Sequence, residues 1–181
     1  IQILPHGEIA QKLIGDSEHR IINSKATVIK CYEDGKRRIL YSNGNVCEIK
    51  NNKAINTNNR GNCVEKDLTT GEITPLKPIP ITVQTDTESQ CKTLIREDGV
   101  LNLKYPNNTS LTIHEDTTKI YTYAKDDNDN VHYLIEHNDF ATVNVYVSGD
   151  KREYEGDVLL TELARKSIDG IVYSADGKEV I

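Results

Sequence analysis

The sequence predicts a mainly β fold. It reads as an antiparallel β-meander of short strands, carried as a single-layer or loosely folded-over sheet, with one short helix near the C-terminus. Three observations predict it. Turn-forming dipeptides recur at a nine-residue beat, at Asp34-Gly35, Asn43-Gly44, Asn51-Asn52, Arg60-Gly61 and Thr70-Gly71, and again at Asp98-Gly99, Asn107-Asn108 and Asp116-Thr117. The 181 residues include 20 Ile, 16 Thr, 16 Asn and 9 Tyr, against 1 Phe and no Trp. Ile, Thr and Tyr suit a pleated surface, and Asn tolerates the positive φ of tight turns. Asn-Gly and Asp-Gly fit a type I′ turn, so a two-residue turn plus a seven-residue strand accounts for the beat.

The elements follow in order. Residues 1–24 read as a lead-in with a short helix over 8–14, ended by Gly15. Residues 25–74 form a first β-repeat half, with strands at 26–33, 36–41 and 45–50; the polar, Asn-rich stretch 51–63 argues against a strand there. PLKPIP at 75–80 falls within a linker, 75–82, because Pro cannot donate to a ladder. Residues 83–155 form a second half. Four strands run over 81–123, DDNDN at 126–130 is a loop, and strands follow at 131–136 and 140–147. Within 156–181, helical spacing over 157–166 puts Leu159, Leu160 and Leu163 on one stripe behind an Asp157 N-cap. A terminal hairpin at 171–181 turns through Asp176-Gly177.

Closing the second-half hairpins about two-residue turns sets Ile95 opposite Asn102, then Ile113 and Ile120. Leu94 then meets Leu103, Thr112 and Tyr121, and Tyr105 meets Ser110 and Tyr123. Both faces come out mixed, so neither is an obvious dry side. Each cross-strand pair contributes only about 0.2–1 kcal/mol, so such a sheet gains from a partner.

Charge and hydropathy exclude several classes. The net charge is −6, and no basic stripe marks a nucleic-acid reader. No apolar run approaches the ~18 residues of a membrane helix, and no signal-peptide pattern opens the chain. The chain begins at Ile1 and contains no Met, which reads as a segment of a longer protein.

Motifs for chemistry are sparse. Cys31, Cys47, Cys63 and Cys91 form no CxxC and read as free, strand-borne thiols. In the DDNDN loop, Asp126, Asn128 and Asn130 match the first ligand positions of an EF-hand, but Val131 and His137 stand where Gly and Glu are required. His132 and His137 are five apart, so a strand points them to opposite faces, and His114, just before a turn, reads as exposed. No nucleophile elbow, P-loop or dinucleotide fingerprint occurs. The sequence therefore assigns no catalytic residue, no metal and no cofactor.

The run IREDGVLNLKYPNNTSLTIHEDTTKIYTY, residues 95–123, resembles the repeat of the axonemal central-pair protein family of sperm-associated antigen 17. More loosely, it is similar to the glycine-box repeat of centriolar scaffolds. YEDGKRRILYSNGNVCEI, residues 32–49, is a weaker copy. Asp98-Gly99, Tyr105-Pro106-Asn107 and His114-Glu115-Asp116 match the family turns, while Asn108 and Thr117 stand where the family has Gly. The resemblance implies a non-catalytic scaffold of the ciliary axoneme, in the cytoskeleton. Its implied partners are other central-pair proteins and microtubules, with no nucleic acid and no membrane. Sheet-edge or sheet-face recognition is the expected mechanism, with Leu103, Tyr105, Ile113, Tyr121 and Tyr123 as candidate contacts. The alternative is a secreted or cell-surface adhesion module glycosylated near Asn107, since Asn107-Asn108-Thr109-Ser110 holds two overlapping acceptors. A small enzyme built on scattered carboxylates and His132 or His137 is the third reading.

Overall fold

Backbone pairing divides the chain into two antiparallel meanders in which each strand pairs only with its sequence neighbours. The structure is a computed structural model that describes residues 1–4, 8–13, 15–147, 163–166, 172–173 and 179–180. The first sheet holds β1 (Gln2–Ile3), β2 (Ile9–Lys12), β3 (His19–Ile22), β4 (Val28–Cys31), β5 (Arg37–Leu40), β6 (Val46–Lys50), β7 (Lys53–Thr57), β8 (Cys63–Asp67) and β9 (Ile73–Leu76). The second holds β10 (Ile81–Thr85), β11 (Lys92–Arg96), β12 (Leu101–Lys104), β13 (Ser110–Ile113), β14 (Lys119–Thr122), β15 (Val131–His137), β16 (Phe140–Val147), β17 (Leu163–Lys166), β18 (Val172–Tyr173) and β19 (Glu179–Val180).

Three expectations about elements are corrected. The helix over 8–14 is replaced by β2, which pairs with β1 and β3. The Asn-rich stretch does carry a strand, β7, because the left-handed pair Asn51 and Asn52 closes a two-residue turn and lays Lys53 against Lys50. In the C-terminal helix segment, 157–162 lie outside the described residues, and Leu163–Lys166 instead pairs with β16 as a strand. The Asp176-Gly177 turn also lies outside them.

The nine-residue beat has a different mechanism from the one the dipeptides imply. Eight hairpins among the described residues close with a three-residue loop, as Arg96 N–H donates to Val100 O across Glu97, Asp98 and Gly99. The third loop residue is left-handed each time, at Ala26, Gly35, Gly44, Gly61, Gly99, Asn108, Thr117 and Asp129. An Asn or Asp braces the loop with its side chain. Asp34, Asn43, Asn107 and Asp116 each accept the N–H two residues on, at 3.0 Å. Asn108 and Thr117, lacking the glycine freedom, still adopt φ 64° and 69°. Asp126 does the same work in the DDNDN loop, accepting from Asn128 and Asn130 N–H.

The extra loop residue shifts the register by one, and a one-residue shift moves every side chain to the other face. Ile95 lies opposite Leu101, not Asn102; Leu94 lies opposite Asn102, then Thr112 and Ile120. The dry side therefore exists. Ile9, Ile22, Val28, Leu40 and Val46 stand in one cross-strand row on the first sheet. They pack with Val100, Ile120, Ile135, Val143 and Val145 of the second sheet in a single buried cluster. The meander is two layers, folded over at the proline segment. Fully burying each such side chain stabilises by roughly 1.5–3 kcal/mol.

Polar groups trapped between the layers are largely hydrogen-bonded, as burial requires. Asn102 Nδ2 donates to Thr112 Oγ1 at 2.7 Å, and that hydroxyl donates to Ser42 O. Arg96, 1% exposed, donates from Nη1 to Gly44 O and Asn58 O and clasps Asp98 with Nε and Nη2. His114, expected on the surface, is 2% exposed and donates from Nε2 to Tyr41 O at 2.9 Å. It lies two residues beyond buried Thr112 and so shares its inward face. The linker docks as well: Ile79 N–H donates to Gly61 O at 2.8 Å. Pro75 is tolerated in β9 because β9 is an edge strand.

Candidate protein-binding face

The other face of the second sheet points away from the first layer. Ile95, Leu101 and Ile113 form one cross-strand row on it; Leu103, Leu111, Tyr121 and Leu134 form the next. Beyond them, Tyr105 closes on Thr109, and Tyr123 closes on His132, which pairs with Tyr146. Leu103, Tyr105, Ile113, Tyr121 and Tyr123 therefore share one face. Ile113 joins the others only in the observed register.

Four aromatic rings stack along the end of this face. Tyr121 and Tyr123 have centroids 6.4 Å apart, Tyr123 and His132 4.6 Å, and His132 and Tyr146 4.4 Å, all near parallel. His132 Nε2 donates to Asn144 Oδ1 at 2.7 Å, which fixes the ring plane between the tyrosines. Partial burial pushes the Tyr121 hydroxyl up, with Glu136 adding to the shift, so it stays protonated and able to donate. Tyr105 is 37% exposed at the tip, and only Leu111 among these side chains is buried. Such a surface offers flat, rigid contact area with polar tips, the chemistry of a protein-binding face.

Sequence reasoning missed Leu111, Leu134, His132 and Tyr146. The signal was present as alternation along β15 and β16, and it becomes readable once the register places Leu134 beside Tyr121.

A cleft of about 250 Å³ opens between the layers, lined by Arg20, Lys30, Cys31, Asp116, His137 and Phe140 among others. Its groups engage one another. Lys30 Nζ pairs with Asp116 Oδ2 at 2.9 Å; Arg20 lies 4.2 Å over the Phe140 ring and donates to Gln11 Oε1. Burial lowers the Arg20 guanidinium to about 10, against the pull of Asp116. His137 donates from Nε2 to Asp116 O and accepts the Asp139 N–H at Nδ1, so both ring nitrogens are committed. Among the described residues, no nucleophile–base pair forms from His132 or His137. Cys31, Cys47, Cys63 and Cys91 are free thiols, and burial pushes Cys47 up. Among the described residues no group of three His, Cys, Asp or Glu is placed to hold a metal ion.

No protein-family model matches the chain, and no curated protein matches it. Solved structures similar to it are TCP, TCP10 and G-box domains. The TCP domain of SAS-4 from Drosophila melanogaster, in complex with a proline-rich motif of Ana2, is 14% identical with a TM-score of 0.30, covering 74% of this chain and 87% of that one. The TCP10 domain of CPAP from Danio rerio, in complex with a STIL peptide, is 14% identical with a TM-score of 0.27, covering 96% and 97%. The G-box domain of the microcephaly protein CPAP is 13% identical with a TM-score of 0.33, covering 80% and 94%.

Proposed function

We propose that this chain is a non-catalytic scaffolding domain that binds a segment of another protein against the outer face of its second sheet. One observation carries the reading. Leu103, Tyr105, Ile113, Tyr121 and Tyr123 converge on a face with half-exposed aliphatic rows and a four-ring stack, and the first layer covers only the opposite side. Alternating pockets on such a surface select side chains of an extended or helical partner. The resemblance of residues 95–123 to the sperm-associated antigen 17 repeat supports a partner among central-pair proteins, in the ciliary axoneme. The committed ring nitrogens of His137 support a role without catalysis.

The test is site-specific photocrosslinking in demembranated axonemes. A benzophenone amino acid replacing Tyr105 should capture a central-pair protein. The same group replacing Leu68, exposed between β8 and β9 of the first sheet, should not. Equal capture from both positions, or none from Tyr105, would count against the reading.

A further inference from the structure

Where the 58–61 turn of the first sheet rests on the second, the layers leave a groove of about 250 Å³. Arg60, Lys92 and Lys104 line it over an apolar floor of Val83 and Leu94, and no Asp or Glu does. That is anomalous for a chain with 28 acidic residues and a net charge of −6. Several cations elsewhere have acid partners: Lys30 with Asp116, Lys36 with Glu48, Arg38 with Glu115, Lys53 with Glu65. Arg60, Lys92 and Lys104 make no ion pair among the described residues. Lys92 and Lys104 also stand directly opposite each other on neighbouring strands, an arrangement that destabilises a sheet.

We propose that this groove binds an acidic, extended peptide segment of a partner protein. Carboxylates of the segment would lie among Arg60, Lys92 and Lys104, relieving the Lys92–Lys104 repulsion. An aliphatic side chain between them would rest on Val83, which is 57% exposed, and Leu94. A peptide suits the site better than a nucleic acid: the floor is aliphatic, and no aromatic ring lines it for base stacking. The groove lies on the opposite face from the aromatic stack, so it stands or falls independently of the proposed function.

The test uses fluorescence anisotropy of a labelled peptide of alternating Glu and Thr with one central Leu, titrated with the whole chain. Binding should weaken as salt rises and should vanish for the peptide with Gln in place of Glu. Lys92→Glu with Lys104→Glu should raise Kd at least tenfold, Arg60→Ala severalfold, and Tyr121→Ala should leave it unchanged. Because a charge reversal could perturb folding, Lys104→Gln is measured as well. It should weaken the peptide severalfold while raising the thermal midpoint of the free chain. Unchanged peptide affinity in the Lys104→Gln and double-Glu chains would overturn the proposal. So would competition by inorganic phosphate or a single-stranded oligonucleotide at concentrations equal to the peptide's.

Discussion

Lys30 Nζ stands 2.9 Å from Asp116 Oδ2 and ties the middle of the first sheet to a turn of the second. The same turn carries His114 inward, so two titratable groups sit where the layers meet.

Acid should loosen the layers in two stages. Burial depresses the His114 imidazole from 6.5 to about 4. A depressed imidazole means the unfolded chain takes up the proton first. Stability is thus full above pH 6.5 and declines as pH falls towards about 4, with a ceiling of about 3 kcal/mol. Burial works against the Asp116 carboxylate, but Lys30 and the Thr118 N–H outweigh it and hold the group down to about 2. Its contribution is full above 3.8 and is lost as pH falls through about 2. Urea midpoints should show both declines. His114→Gln should flatten the first and Asp116→Asn the second; an identical pH profile in wild type and His114→Gln would contradict this.

Glycine at two turns should matter unequally. Gly35 and Gly61 both have positive φ, but a Cβ on Gly35 meets nothing, whereas on Gly61 it runs into the Ile79 carbonyl oxygen. Gly35→Ala should cost only the left-handed strain, about 1–2 kcal/mol. Gly61→Ala should cost a further ~1–3 kcal/mol by displacing the linker from the turn. Urea denaturation compares the two directly, and equal losses would show that the linker contact is dispensable.

Thr117 is the converse case. A β-branched, exposed residue at φ 69° is strained, and strain of this kind costs roughly 1–3 kcal/mol. Thr117→Gly relieves it against an entropic loss of about 0.5–1 kcal/mol. The thermal midpoint should rise by a few degrees, and a fall would mean the Thr side chain contributes something its exposed position does not reveal.

On the proposed binding face, Tyr105→Asp changes an exposed ring and should leave the thermal midpoint within about one degree of wild type, since exposed substitutions rarely exceed ~0.5 kcal/mol. It should weaken partner capture at least tenfold if Tyr105 anchors the contact. Undiminished capture by a folded Tyr105→Asp chain would remove Tyr105 from the interface.

How much was legible follows from the loops. Asp34-Gly35 and Asn43-Gly44 announce their turns because only Asx and Gly chemistry closes them cheaply. Loop length was hidden, because the left-handed third residue is Ala26, Asn108 or Thr117 as readily as Gly. That single residue per hairpin decides register, and register decides whether Asn102 faces Ile95 or Leu94. The tyrosines of the second sheet's outer face were readable as a β surface; that Ile113 joins them, and that His114 is interior, were not.

Local preferences suffice for an all-antiparallel meander punctuated by Asx-braced bends, since they act within a few residues. Which face is dry is a matter of long-range packing, because it depends on the chain folding back at the proline segment. The same packing brings lysines of one sheet and an arginine of the other into one groove, since no local signal encodes a meeting of residues more than thirty positions apart.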